Sequence, residues 1–126
     1  MKEDKRFYEG FDGEKKFILC LCKNDNVLEK FHVWEGFFDD IMSLIPYSNK
    51  GWECLAEYYQ LALDFDNSHW KVPDCSKALN QLMAIDRHRM KYPRRSDCYD
   101  ALVEFFTKAV DEKLDVYIDN DKQVSL

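Results

Sequence analysis

Residues 17–34 read Phe17-Ile18-Leu19-Cys20-Leu21-Cys22-Lys23-Asn24-Asp25-Asn26-Val27-Leu28-Glu29-Lys30-Phe31-His32-Val33-Trp34, and their division decides the fold. The run from Phe17 to Cys22 is apolar without a break. Such a run suits a buried strand or a short core helix, and periodicity cannot separate the two. Strand is the preferred reading. After the polar break Lys23 to Asn26, apolar residues recur as Val27, Phe31, Trp34, Phe38, Ile41 and Ile45. Steps of four and three mark one face of a helix. Asn26 followed by Glu29 resembles a capping box, in which two side chains serve the first free backbone N–H groups. The pattern predicts a helix from Asn26 that Pro46 stops.

Working outward, a second helix is expected from about Lys50 to Leu63, with Trp52, Leu55, Ala56, Tyr59, Ala62 and Leu63 inward. Its other face carries Glu53, Glu57, Gln60 and Asp64, an acidic stripe at helical spacing. A turn-forming stretch from Asp66 to Pro73 follows, and Asp74 caps a third helix from Cys75 to Ile85 that buries Ala78, Leu79, Leu82 and Met83. Ser96 or Asp97 caps a fourth helix carrying Leu102, Phe105, Phe106, Ala109, Val110 and Leu114. Val116-Tyr117-Ile118 suits a short strand pairing with Phe17 to Cys22. The polar tail 119–126 is expected to fray. The fold expected is mainly α: about four amphipathic helices with a minor β element, in one helical domain over residues 1–126. An α+β arrangement is the alternative.

Composition agrees with one folded domain. The 126 residues are 46% hydrophobic and 15% aromatic, enough for one substantial core, and hold only four Gly and three Pro. The longest apolar run is far short of the roughly 20 residues that span a bilayer, and no secretion signal is seen. Five scattered Cys then suggest reduced thiols and a cytoplasmic location. The net charge of −6 disfavours nucleic acid as a general partner and favours a basic protein. Against this acidity, Arg87, Arg89, Lys91, Arg94 and Arg95 cluster in one short segment, broken by Tyr92-Pro93. They pair with the protein's own carboxylates, lie solvated, or contact phosphates.

A search for chemistry gives no catalytic residues, no cofactor and no metal site. His32, His69 and His88 lie in no recognisable triad, and Ser68-His69 adjacency in sequence implies nothing about one. Cys20 and Cys22 share a face if the run is a strand, yet no second ligand pair at zinc spacing accompanies them. Glu53 and Glu57 face the same way at i,i+4, which suits a solvated face or a partner-binding face more than acid–base work. Phosphate-binding glycine loops are absent.

The segment Phe65-Asp66-Asn67-Ser68-His69-Trp70-Lys71-Val72-Pro73-Asp74, with the helix after it, Phe105-Phe106, Val110 and Val116-Tyr117-Ile118, resembles small bacterial immunity proteins. These belong to contact-dependent growth inhibition and related polymorphic toxin systems. The resemblance covers residues 50 to 118. It implies a cytoplasmic protein that binds one cognate toxin C-terminal domain, often a basic nuclease, and blocks its active site or its approach to substrate. Candidate toxin-binding residues are Glu53, Glu57 and Asp64 on the acidic stripe and Asp66, His69 and Trp70 in the adjoining loop. Asp39 and Asp40 form a second acidic possibility, and a core role competes for Trp70. The alternatives are an adaptor or regulatory protein-binding domain, and a small RNA-binding protein using Arg87 to Arg95.

Overall fold

Phe17 to Cys22 is a strand, as expected, and the residues after it form another strand instead of a helix. The computed structural model describes residues 1–46, 53–64, 69–90 and 93–121, without the side chains of 61–64, 93 and 121. Strand β1 is Lys2–Phe7, β2 is Lys16–Lys23, and β3 is Asn26–Trp34. Helix α1 follows directly at Glu35–Ser43, then α2 at Cys54–Asp64. Strand β4 is Trp70–Lys71, α3 is Cys75–Met83, α4 is Pro93–Asp111, and β5 is Asp115–Asp121. Arg87–Arg89 form one 3-10 turn between α3 and α4.

The helix expected from Asn26 is thus two elements. Asn24, at φ 56°, takes the left-handed conformation that asparagine tolerates, and the chain reverses at Asn24-Asp25 into a hairpin. Beyond the turn, Phe31 and Val33 point into the core, while Lys30 and His32 point to the other face. Val27 matched the helical spacing only by coincidence, since it is 37% exposed. Asn26 and Glu29 make no capping box: both sit in β3, and Glu29 lies 3.7 Å from the Lys2 ammonium. True helical periodicity starts at Glu35, where Phe37, Phe38, Ile41 and Met42 become the buried face of α1. That helix ends at Ser43, before Pro46.

The five strands form one mixed sheet in the order β1-β3-β2-β5-β4. Only β1 and β3 run parallel; β2 pairs antiparallel with β3 on one side and with β5 on the other. The expected pairing of the last strand with the apolar run is observed, with Leu19 opposite Ile118 and Leu21 opposite Val116. The fold is therefore α+β, and the mainly α reading is corrected. Its cause is the 3.6-residue reading of β3, together with β1, whose charged sequence Lys-Glu-Asp-Lys-Arg gives no alternation. Residues 119–121 belong to β5 and not to a frayed tail; 122–126 lie outside the described residues.

All four helices pack on one face of the sheet. Phe17, Leu19, Leu21, Phe31, Val33, Val116 and Ile118 from the strands meet Phe38, Ile41, Leu55, Tyr58, Leu82, Leu102 and Phe106 from the helices in one cluster. Burying a large apolar side chain is worth about 1.5–3 kcal/mol, so this layer dominates the stabilisation. Phe17 stacks on Phe38 at 4.2 Å, and Phe31 meets Phe105 at 5.8 Å between ring centres.

The other helix ends differ in detail from expectation. Helix α2 begins at Cys54, and Lys50 and Trp52 lie outside the described residues. Asp74 caps α3 as expected, its carboxylate accepting from the Lys77 N–H at 3.1 Å. Met83, expected inward, is 64% exposed. Helix α4 begins at Pro93, so Ser96 and Asp97 are inside its first turns and neither is its cap. Proline suits a first helical position because its φ is already helical and its missing N–H would have no intrahelical partner.

Candidate functional site

The described acidic, histidine and tryptophan candidates do not form one surface. Asp39 accepts a hydrogen bond from the Tyr59 hydroxyl of α2. Burial, and then this bond, push the Tyr59 phenol up to about 12. Asp40 lies 2.5 Å from the Arg95 guanidinium of α4. Both carboxylates therefore tie α1 to its neighbours. Glu53 lies 3.5 Å from the Lys77 ammonium, and Glu57 is exposed. Asp64 ends α2, and its side chain, like all of Asp66, lies outside the described residues.

His69 and Trp70, adjacent in sequence, separate at the sheet. Trp70 is half-buried against Tyr58, 4.9 Å between ring centres, and belongs to the core layer. His69 lies on the opposite face, where its Nδ1 is 2.5 Å from Asp119 and its ring stacks on Tyr117 at 4.7 Å. His69 immediately precedes β4, and successive side chains of extended backbone point to opposite faces.

Three arginines of the basic segment engage the protein's own groups at the surface, and Arg89 is exposed. Arg87 reaches Asp100 at 2.6 Å and donates to Ser96. Arg94 donates to the Arg6 carbonyl at 3.3 Å and lies over the rings of Phe11 and Phe37. With Arg95 on Asp40, three of its guanidinium groups face the protein's own carboxylates, carbonyls or rings. Lys91 and Tyr92 lie outside the described residues.

Two surfaces that the sequence reading passed over come together instead. The first is the outward face of α4, where Asp97, Asp100, Glu104 and Asp111 recur at steps of three, four and seven. Its opposite face buries Cys98, Leu102, Phe105, Phe106 and Ala109. Among these four carboxylates Asp100 is engaged by Arg87, whereas Asp97, Glu104 and Asp111 are exposed and form no ion pair among the described residues. The spacing of these carboxylates is legible in the sequence at helical steps.

The second is the sheet face turned away from the helices. Ile18, Cys20, Cys22, His32, Tyr117 and Asp119 lie there by strand alternation. His32 is only 4% exposed, and its Nε2 lies 3.1 Å from Glu3. Burial holds its imidazole pKa below the usual value, against the opposing pull of Glu3. Burial also pushes the Cys20 thiol up to about 11, with Asp119 adding to it. A thiol held protonated is a poor nucleophile and a poor metal ligand. No group of three His, Cys, Asp or Glu side chains suited to a metal occurs among the described residues.

No family model, curated protein or solved structure matches the chain. Function is therefore read from this chain's own surface. Among the described residues, no helix is long and apolar enough to cross a membrane. The outward face of α4 thus carries exposed Asp97, Glu104 and Asp111, with exposed Lys108 between the last two.

Proposed function

We propose that this chain is an immunity-type inhibitor that binds and neutralises a cognate, basic toxin domain, a nuclease by class, in the cytoplasm of the producing cell. The observation that carries the reading is the set of exposed carboxylates Asp97, Glu104 and Asp111 on one face of α4, interrupted by a single cation, Lys108. This helix is the longest of the described elements, and its inner face is anchored by Leu102 and Phe106, both fully buried. A nuclease domain carries cations to hold a phosphate backbone, and a rigid carboxylate row competes for the same cations. The net charge of −6 supports the same partner chemistry at long range. The sequence resemblance over residues 50 to 118 supports it independently of charge.

The test is co-expression of the tagged chain with the protein encoded immediately upstream. A complex that survives moderate salt, with relief of growth arrest, is the expected result. Absence of both would sink the reading. Neutralising the row with Asp97→Asn, Glu104→Gln and Asp111→Asn should slow association by about tenfold at low salt and by less at high salt. Asp39→Asn and Asp40→Asn should leave association unchanged, because those carboxylates are already held by Tyr59 and Arg95.

A further inference from the structure

The loop between β1 and β2 holds the one place in the sequence where an Asp or Asn precedes a Gly, at Asp12-Gly13. The backbone nitrogen that follows an aspartate is placed to attack the side-chain carboxyl and close a five-membered ring. A side chain on the following residue crowds that nitrogen, and glycine has none. The other glycines follow Glu9, Glu35 and Lys50, none of which closes a five-membered ring.

The fold leaves this pair open. Asp12 and Gly13 are both exposed, and a Cβ at Gly13 would meet nothing within 4 Å. Among the described residues the Asp12 carboxylate accepts no hydrogen bond and forms no ion pair, and the Gly13 N–H has no acceptor. Gly10 and Gly13, on either side of Phe11-Asp12, sit at φ 89° and 87°, which glycine adopts without steric cost. By contrast, Asp4, Asp74, Asp100 and Asp119 are bonded to Arg6, the Lys77 N–H, Arg87 and His69.

We propose that Asp12-Gly13 is a site of spontaneous modification, where the folded protein converts slowly to a β-linked isoaspartate without enzyme, cofactor or oxidant. The Gly13 nitrogen bonds to the Asp12 Cγ. Its proton and the carboxyl hydroxyl leave together as one water, giving a succinimide. Water then opens the ring. Attack at Cγ restores the aspartate, and attack at the main-chain carbonyl leaves the chain running through the Asp12 Cβ and Cγ. The net composition is unchanged.

The product has one more main-chain carbon inside the turn that the Glu14 N–H closes on the Phe11 carbonyl at 2.9 Å. This turn positions the Phe11 ring, which stacks on Trp34 at 4.0 Å, meets Phe37 edge-on at 5.5 Å and lies beneath the Arg94 guanidinium. Modification therefore loosens the contact that fastens the loop to β3, α1 and α4. The inference does not depend on the inhibitor reading.

The full chain is incubated, folded, at neutral pH in water enriched in oxygen-18, then digested with trypsin in ordinary water. Cleavage after Arg6 and Lys15 releases residues 7–15. This peptide should separate into two isomeric forms, each carrying oxygen-18 at Asp12, and one of them should accept a methyl group from an isoaspartate-specific carboxyl methyltransferase. The native rate should be of the same order as that of the chain unfolded in denaturant. Asp12→Glu should abolish the labelling. Asp12→Asn should give the same two products faster, with ammonia as the leaving group, through the same succinimide. The separated isoaspartate form should melt at a lower temperature than the unmodified protein. A native protein that stays unlabelled overturns the proposal, and label in the unfolded chain would then show that the folded turn blocks the attack. Label that persists in Asp12→Glu, or that appears equally in peptides holding the other aspartates, overturns it too. An unchanged melting temperature in the isoaspartate form overturns the loosening of Phe11.

Discussion

The side-chain amide of Gln81, on α3, closes the first turn of α2 by accepting from the Leu55 N–H at 2.9 Å and donating to the Glu53 carbonyl at 2.8 Å. A helix start leaves backbone N–H groups without intrahelical partners, and here a neighbouring helix supplies one acceptor. Gln81→Ala should cost about 1–2 kcal/mol, measured by urea unfolding, because it removes the cap and leaves Leu55 N–H unsatisfied. An unchanged unfolding midpoint would show that water replaces the amide fully.

Lys113 ends α4 at φ 55°, with the Leu114 N–H donating to Ala109 at 2.8 Å and the Lys113 N–H to Val110 at 3.3 Å. These two bonds form the left-handed helix end that glycine favours. Lys113→Gly should raise stability by about 1 kcal/mol, since lysine bears a steric cost in that conformation. Thermal unfolding checks it, and a lower midpoint for the glycine variant would contradict the strain argument.

His32 makes stability depend on pH in a defined direction. Burial outweighs the bond to Glu3, and the ammonium groups of Lys16 and Lys5 add repulsion, so its folded pKa lies below the free value of 6.5. Its Nδ1 is also buried without a partner among the described residues. Below 6.5 the unfolded chain takes up a proton that the folded chain refuses. The contribution of His32 is thus complete above 6.5 and is lost as pH falls from there through the folded pKa. An NMR titration of the ring should show a midpoint under 6.5, and His32→Gln should remove this part of the slope. A midpoint above 6.5 would reverse the sign.

The five thiols are free, and burial raises the pKa of each. Since the thiolate is the reactive form, the native protein should react with a disulfide reagent near neutral pH far more slowly than the denatured chain. Denaturant should release all five equivalents. Rapid native labelling of Cys20 or Cys22 would mean that the outer sheet face is more open than its burial implies.

Legibility in the sequence followed the length scale of the interactions. The apolar runs that became β2 and β5, the Asp74 cap and most of the α4 core face could be read locally, from apolar runs and capping residues. The boundary inside residues 26–45 could not. Phe31, Trp34, Phe38 and Ile41 satisfy a helical spacing in sequence, although the first two belong to a strand. A hairpin at Asn24-Asp25 decides between the readings, and it gains its advantage only when β3 finds both β2 and β1. Candidate residues suffered the same way. Asp39 and Asp40 looked free until Tyr59 and Arg95 arrived from other helices, and Trp70 looked like a loop residue until it met Tyr58.

By itself the sequence determined that this chain has aromatic residues enough for a substantial core, carries an excess of carboxylates, and holds a buried apolar element at Phe17 to Cys22. Those properties depend on composition and on neighbours within a turn or two. Only the tertiary structure decided that the fold is α+β, and that Arg87, Arg94 and Arg95 engage groups of the protein itself on other elements. Each of these depends on contacts between residues far apart in the chain, and local pattern carries no information about which distant partner a charge or a strand edge will meet.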